Sequence, residues 1–249
     1  MSKVGTWAWS EATGGRLRRR DELELLRQAV LARIAMLPAP GRRQARSTGL
    51  LELPDPPDSA LARAAEERVM MLSEPLLYAH CLRTWAFAAL LAQRDGISHD
   101  PELLYLACVL HDLGLTTHHD GRDTTACCFA VEGARAAHVF LCSHQVPAER
   151  AVRVAEAISL HLNVTVSASL GAEAALLSRG AALDAVGRYA HRISRTDQLG
   201  VMLRWPRVGF ADYLAQASVR QSQLRPRSRS RLFHRLGFAG MVAANPLDR

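Results

Sequence analysis

No apolar run in the 249 residues approaches the ~18 that a membrane-crossing helix needs. The N-terminus carries neither the apolar stretch nor the cleavage pattern of a secretory signal. A cytoplasmic protein without a membrane partner is expected. C-x-x-C spacing is also missing: the five cysteines, at 81, 108, 127, 128 and 142, are odd in number and read as free thiols. Cys81 and Cys108 fall in apolar helical patterns, where cysteine behaves as a small hydrophobe. Strict alternation of apolar and polar residues is absent as well, so strands are at most incidental. With 49% apolar residues the chain can bury one substantial core, and the expected fold class is all-α, a helical bundle.

Acidic residues are scarce in one segment only. Residues 200 to 235 hold eight arginines, 204, 207, 220, 225, 227, 229, 231 and 235, against one acid, Asp212. Residues 1 to 199 balance 22 basic against 22 acidic side chains, so the formal charge of +7 belongs to the C-terminal segment. Charge runs of this kind are usually solvated surface. The stretch from 223 to 235 also suits contact with phosphates without base specificity. It is expected to be dispensable for chemistry.

Residues 1 to 20, with Gly14-Gly15 and a run of arginines, lack apolar periodicity and are expected to form a poorly packed arm. A helix is predicted from Glu22 to Met36 on Leu23, Leu26, Val30 and Ile34, stopped by Pro38 and Pro40. A proline-rich link through Pro54, Pro56 and Pro57 follows. Further helices are predicted over 59–71, from Pro75 to about Gln93, from Pro101 to Gly114 taken as a left-handed terminator, over 133–142, 147–160 and 172–186, and from Tyr189 onward. A polar loop is expected over 115–128. The division is an arm over 1–20, a core over 21–199, and an arginine-rich helical extension of the same domain over 200–249.

The candidate chemistry lies in His80, the adjacent pair His111-Asp112, and Asp184. Singly, each has a bland reading, as a satisfied core histidine or a solvated aspartate. Together, mixed imidazole and carboxylate donors suit zinc, iron or manganese and leave positions open for water. His111 and Asp112 directly follow the apolar run ACVL, where a solvated face is no explanation for two ionisable groups. Gly180, Ala181 and Gly187 make a small-residue surface around Asp184 that a neighbouring helix can approach.

The order His80, His111-Asp112, Asp184 resembles the HD-domain superfamily of metal-dependent hydrolases, an all-α fold. HCLRTW at 80–85, CVLHDLGLT at 108–116, FAVEGARAA at 129–137, AISLHLN at 157–163 and GAALDAVG at 180–187 resemble its cyanamide hydratase-like branch. The resemblance implies one divalent transition metal, zinc before iron or manganese, held by His80, His111, Asp112 and Asp184 and activating water. It also implies a role near the site for Arg83. His161, on the buried face of its helix, is a candidate substrate contact or second-metal ligand, against a plain core histidine. His118 and His119 are loop candidates for an acid or base, and Glu132 is a weaker one. Leu115 stands where phosphohydrolases of this superfamily carry an acidic or lysine residue, and His138 and His144 have no supporting motif for a second metal.

The expected function is hydration or hydrolysis of a small neutral substrate, cyanamide- or nitrile-like. A metal-dependent phosphohydrolase is the first alternative, and a non-catalytic nucleic-acid or anion-binding protein the second. The expected partner is a small-molecule substrate, with nucleic acid at the arginine segment as the lesser expectation; homo-oligomer assembly stays open.

Overall fold

The structure, a computed structural model, describes residues 3–35, 51–121, 123 and 125–248, and among them no strand occurs. The chain runs through α1 (Trp7–Thr13), α2 (Arg19–Ala35), α3 (Ala60–Leu72), α4 (Pro75–Asp95), α5 (Pro101–Leu110), α6 (Phe129–Ser143), α7 (Ala148–Leu160), α8 (Ala172–Val186), α9 (Arg195–Arg204), α10 (Phe210–Leu224), α11 (Arg229–Arg235) and α12 (Phe238–Ala243). No helix among the described residues is long and apolar enough to cross a membrane.

Local chemistry sets most helix ends. The Ser59 and Asp100 side chains accept from the backbone N–H of Ala62 and Leu103, satisfying donors that have no partner inside the helix. Pro75 and Pro101 occupy first turns, where their missing N–H costs nothing. Gly96 and Gly187 close α4 and α8 with φ of 62° and 71°.

α5 is buried along nearly its whole length and packs against α3, α4, α7 and α8. α4 and α8 make the most extensive helix pair. Their approach depends on Gly180, where a Cβ would run into the Thr84 carbonyl and to 3.0 Å from Ala88 N. A second apolar cluster gathers Val4, Trp9, Leu17 and Leu25 with Phe129, Phe210, Leu232 and Val242, so both ends of the described chain share one core.

Four expectations are corrected. The N-terminal arm is packed: Thr6 caps α1, whose Trp9 and Ser10 are buried. In α2 the stripe is turned outward, with Leu23, Val30 and Ile34 exposed while Leu25 is fully buried; the expected end of that helix at Met36, Pro38 and Pro40 lies outside the described residues. Gly114 is not left-handed. It sits in a 3-10 turn over Leu113–Leu115, and a Cβ there would strike the Phe129 carbonyl of α6. The 115–128 loop contains a further 3-10 turn over Thr117–His119. Cys81 and Cys108 are buried free thiols, as their apolar surroundings suggest.

Candidate metal centre

α4 delivers His80, and the end of α5 delivers His111 and Asp112, at the seam of the two apolar clusters. His80 follows Leu77 of one cluster and precedes Cys81 of the other. One donor atom from each of His80, His111 and Asp112 lies within 4.8 Å of the others, and all three residues are buried. His80 Nε2 and His111 Nε2 stand 3.5 and 3.2 Å from Asp112 Oδ2. From the C-terminus of α7, His161 Nε2 faces the other oxygen, Oδ1, at 3.7 Å.

Each imidazole is oriented by what its second nitrogen touches. His111 Nδ1 lies 2.7 Å from the Cys108 carbonyl, His161 Nδ1 2.5 Å from the Ile158 carbonyl, and His80 Nδ1 2.6 Å from Asp184 Oδ2. Carbonyl and carboxylate oxygens only accept, so all three Nδ1 atoms carry a proton, and each ring when neutral turns an Nε2 lone pair toward Asp112. Three such lone pairs and a carboxylate facing one another out of water repel unless a cation lies between them. That donor set fits a divalent ion of the zinc, iron or manganese kind.

A proton on His111 is the alternative cation for this gap. Burial works against the charge of Asp112, but His111, His80 and His161 hold its carboxyl well below the usual range. Burial likewise disfavours a charged His111, yet Asp112 beside it lifts its pKa well above the ordinary value. His161, further from a counter-charge, is pushed down to about 3 by burial and by His111.

Asp184 stands one step behind. Arg83 grips it with two nitrogens, Nε to Oδ1 at 2.8 Å and Nη2 to Oδ2 at 2.9 Å, and Nη1 of Arg83 donates to the Pro206 carbonyl at 2.9 Å. Arg207 donates to the Asp184 carbonyl at 2.7 Å, lies 3.4 Å from Oδ1 and pairs with Asp248. Asn245 donates to the same carbonyl at 2.9 Å. Phe210 stacks on His80 at 4.7 Å between centroids and lies under both guanidiniums. Burial raises the Asp184 pKa, but Arg83 and His80 outweigh it and hold the carboxyl well below the usual range.

The structure therefore brings His80, His111, Asp112 and His161 together, with Asp184 and Arg83 acting on the centre through His80. His118 is half-buried, with its ring 5.1 Å from that of His119. His119 is the more buried of the two and faces Glu132 at 3.5 Å, and Glu132 also pairs with Arg225. Arg207, Phe210 and Asn245 were not candidates, because nothing in local spacing connects them to position 184. The picture of 200–235 as solvated surface is overturned in part. Arg207, Arg225 and Arg229 are buried, and Arg229 donates to the Ser159 carbonyl at 2.7 Å and to Asn163 at 2.9 Å. They are structural cations, so neutralising the segment as a whole disturbs the fold.

Residues 77–199 match the family model of the HD domain, a match that supports the HD-domain superfamily. No curated protein matches the chain. HD domains are generally metal-dependent hydrolases.

Proposed function

Taking the HD-domain match as premise, we propose that this chain adds water to a small neutral electrophile, of the cyanamide or nitrile kind, at a divalent metal held by His80, His111 and Asp112. When bound, such an ion supplies Lewis acidity and makes water a nucleophile near neutral pH. The observation that carries the substrate class is the commitment of the nearby guanidiniums. All three Arg83 nitrogens are taken by Asp184, Trp205 O and Pro206 O, and Arg207 is spent on Asp184 and Asp248. A phosphoester demands free cationic donors, yet the groups acting chiefly on Asp112 are imidazoles. Leu115, buried just past the ligand pair, adds an apolar wall.

Adding water across a carbon–nitrogen multiple bond moves one proton from the water to nitrogen. His161 carries it: Nδ1–H is fixed by Ile158 O, and Nε2 is turned to the Asp112 side of the centre. Asp184, clamped by Arg83, keeps His80 in the tautomer that leaves Nε2 for the ion.

Metal analysis of purified variants and a substrate panel test this. Asp112→Ala and His111→Ala should lose the metal, whereas His161→Ala should keep it and lose at least ~100-fold in turnover. Cyanamide or a nitrile should be turned over faster than nucleotide monophosphates by zinc-, manganese- or iron-loaded protein. Nucleotide hydrolysis without hydration of any nitrile would replace this reading with a phosphohydrolase. Full metal occupancy in Asp112→Ala would place the ion elsewhere.

A further inference from the structure

Burial divides the arginines of the C-terminal segment into two sets. Arg225 and Arg229 point inward to Glu132, Ser159 and Asn163, while Arg227, Arg231 and Arg235 are exposed. At the other end of the sequence Arg16, Arg18 and Arg19 are exposed as well. The fold joins these ends: Leu17 N donates to the Arg227 carbonyl at 2.9 Å, and Leu17 and Leu232 share one apolar cluster. Six exposed arginines thus lie on two segments, some two hundred residues apart in sequence, that the fold joins at one seam.

Among the described residues none of the six side chains makes an ion pair or hydrogen bond. Exposed arginines elsewhere do find acids, Arg63 with Asp58, Arg27 with Glu24 and Arg204 with Asp55. Asp21, the acid next in sequence to the N-terminal arginines, is buried and taken up by Arg18 N and Arg20. Like charges left unneutralised on adjoining segments repel one another, and a polyanion removes that repulsion.

We propose that this face binds the phosphate backbone of a nucleic acid, without reading bases. Guanidinium pairs with phosphate oxygens in two-pronged fashion, and a row of them gains affinity by releasing condensed counterions. An acidic membrane is disfavoured because the large apolar residues interleaved with these arginines turn inward: Leu17 and Leu232 are buried and Phe233 is half-buried. Over 16–19 and 227–235 no large apolar side chain is exposed to enter the acyl region.

Fluorescence anisotropy with a labelled DNA duplex, over a range of salt, tests the proposal. Wild-type protein should bind duplexes of unrelated sequence alike, with log affinity falling against log salt by roughly 0.9 for each phosphate neutralised. The combined Arg18→Ser, Arg19→Ser, Arg227→Ser and Arg231→Ser variant should bind at least ~100-fold more weakly, with the slope flattened by roughly 3 to 4. Its metal content and melting temperature should be unchanged, because all four side chains are exposed. Arg63→Ser with Arg153→Ser should bind as wild type does. Equal affinity of the four-fold variant and wild type would overturn the proposal. So would wild-type binding without salt dependence, or binding to phosphatidylserine vesicles and not to DNA, readouts that need no variant.

Discussion

Three donors share the Asp184 side chain, His80 Nδ1 and two nitrogens of Arg83, and the Arg207 charge stands beside them with Nε 3.4 Å from Oδ1. With the carboxylate and Arg83 both fully buried, removing one partner leaves a charge without solvent or counter-charge. Arg83→Ala should therefore cost about 3–5 kcal/mol of stability and, by freeing His80 to turn, lower metal affinity ~10–100-fold. Arg83→Lys should recover little, because one ammonium cannot span both oxygens and still reach Pro206 O. Denaturant titration and zinc competition with a chelator measure the two effects separately. His80, His111 and Asp112 were legible in the sequence because their residue types carry donor atoms into apolar helices, where nothing else explains them. Arg83 was placed near the site but not in its true part, since whether an arginine meets substrate or a neighbouring aspartate depends on which helix packs beside it.

At the scale of helices, two glycines in helical segments have opposite meanings. Gly180 lies where α8 crosses α4, and a methyl group there meets the Thr84 carbonyl and Ala88. Gly200, inside α9, has nothing within 4 Å of the same position. Gly180→Ala should destabilise by ~1–3 kcal/mol through overpacking, and Gly200→Ala should stabilise by about 0.5–1 kcal/mol through helix propensity alone. Urea unfolding of the pair checks both signs, and equal shifts would mean that the α4–α8 approach is looser than the structure gives. Helix ends were readable from Ser59, Pro75, Asp100 and Pro101 because caps act within one turn. The buried face of α2 was not readable: it is set by where the helix docks, and its apolar spacing is satisfied with Leu23, Val30 and Ile34 in solvent.

The whole molecule is larger than the segment that matches the HD domain. Beyond residue 199, Phe210, Arg229, Val242 and Asn245 are fully buried. Residues 205–210 supply Arg83's carbonyl acceptors, the Arg207 contact to Asp184 and the ring stacked on His80. The N-terminus is tied in as well, with Asn163 donating to the Val4 carbonyl at 2.7 Å and Gly5 packed against Arg229 and Asn163. Burying a large apolar side chain contributes ~1.5–3 kcal/mol, so losing Phe210, Leu214, Leu232 and Val242 removes on the order of 6–12 kcal/mol, comparable with the ~5–15 kcal/mol that holds a domain folded. A chain ending at Arg204 should therefore melt without cooperativity and retain no zinc, although His80, His111, Asp112, His161 and Asp184 are all present. Calorimetry together with metal analysis tests this. A truncated chain that melts cooperatively near the wild-type temperature and holds one zinc would make residues 205–248 an appendage, and would remove Arg207 and Phe210 from the account of how His80 is held.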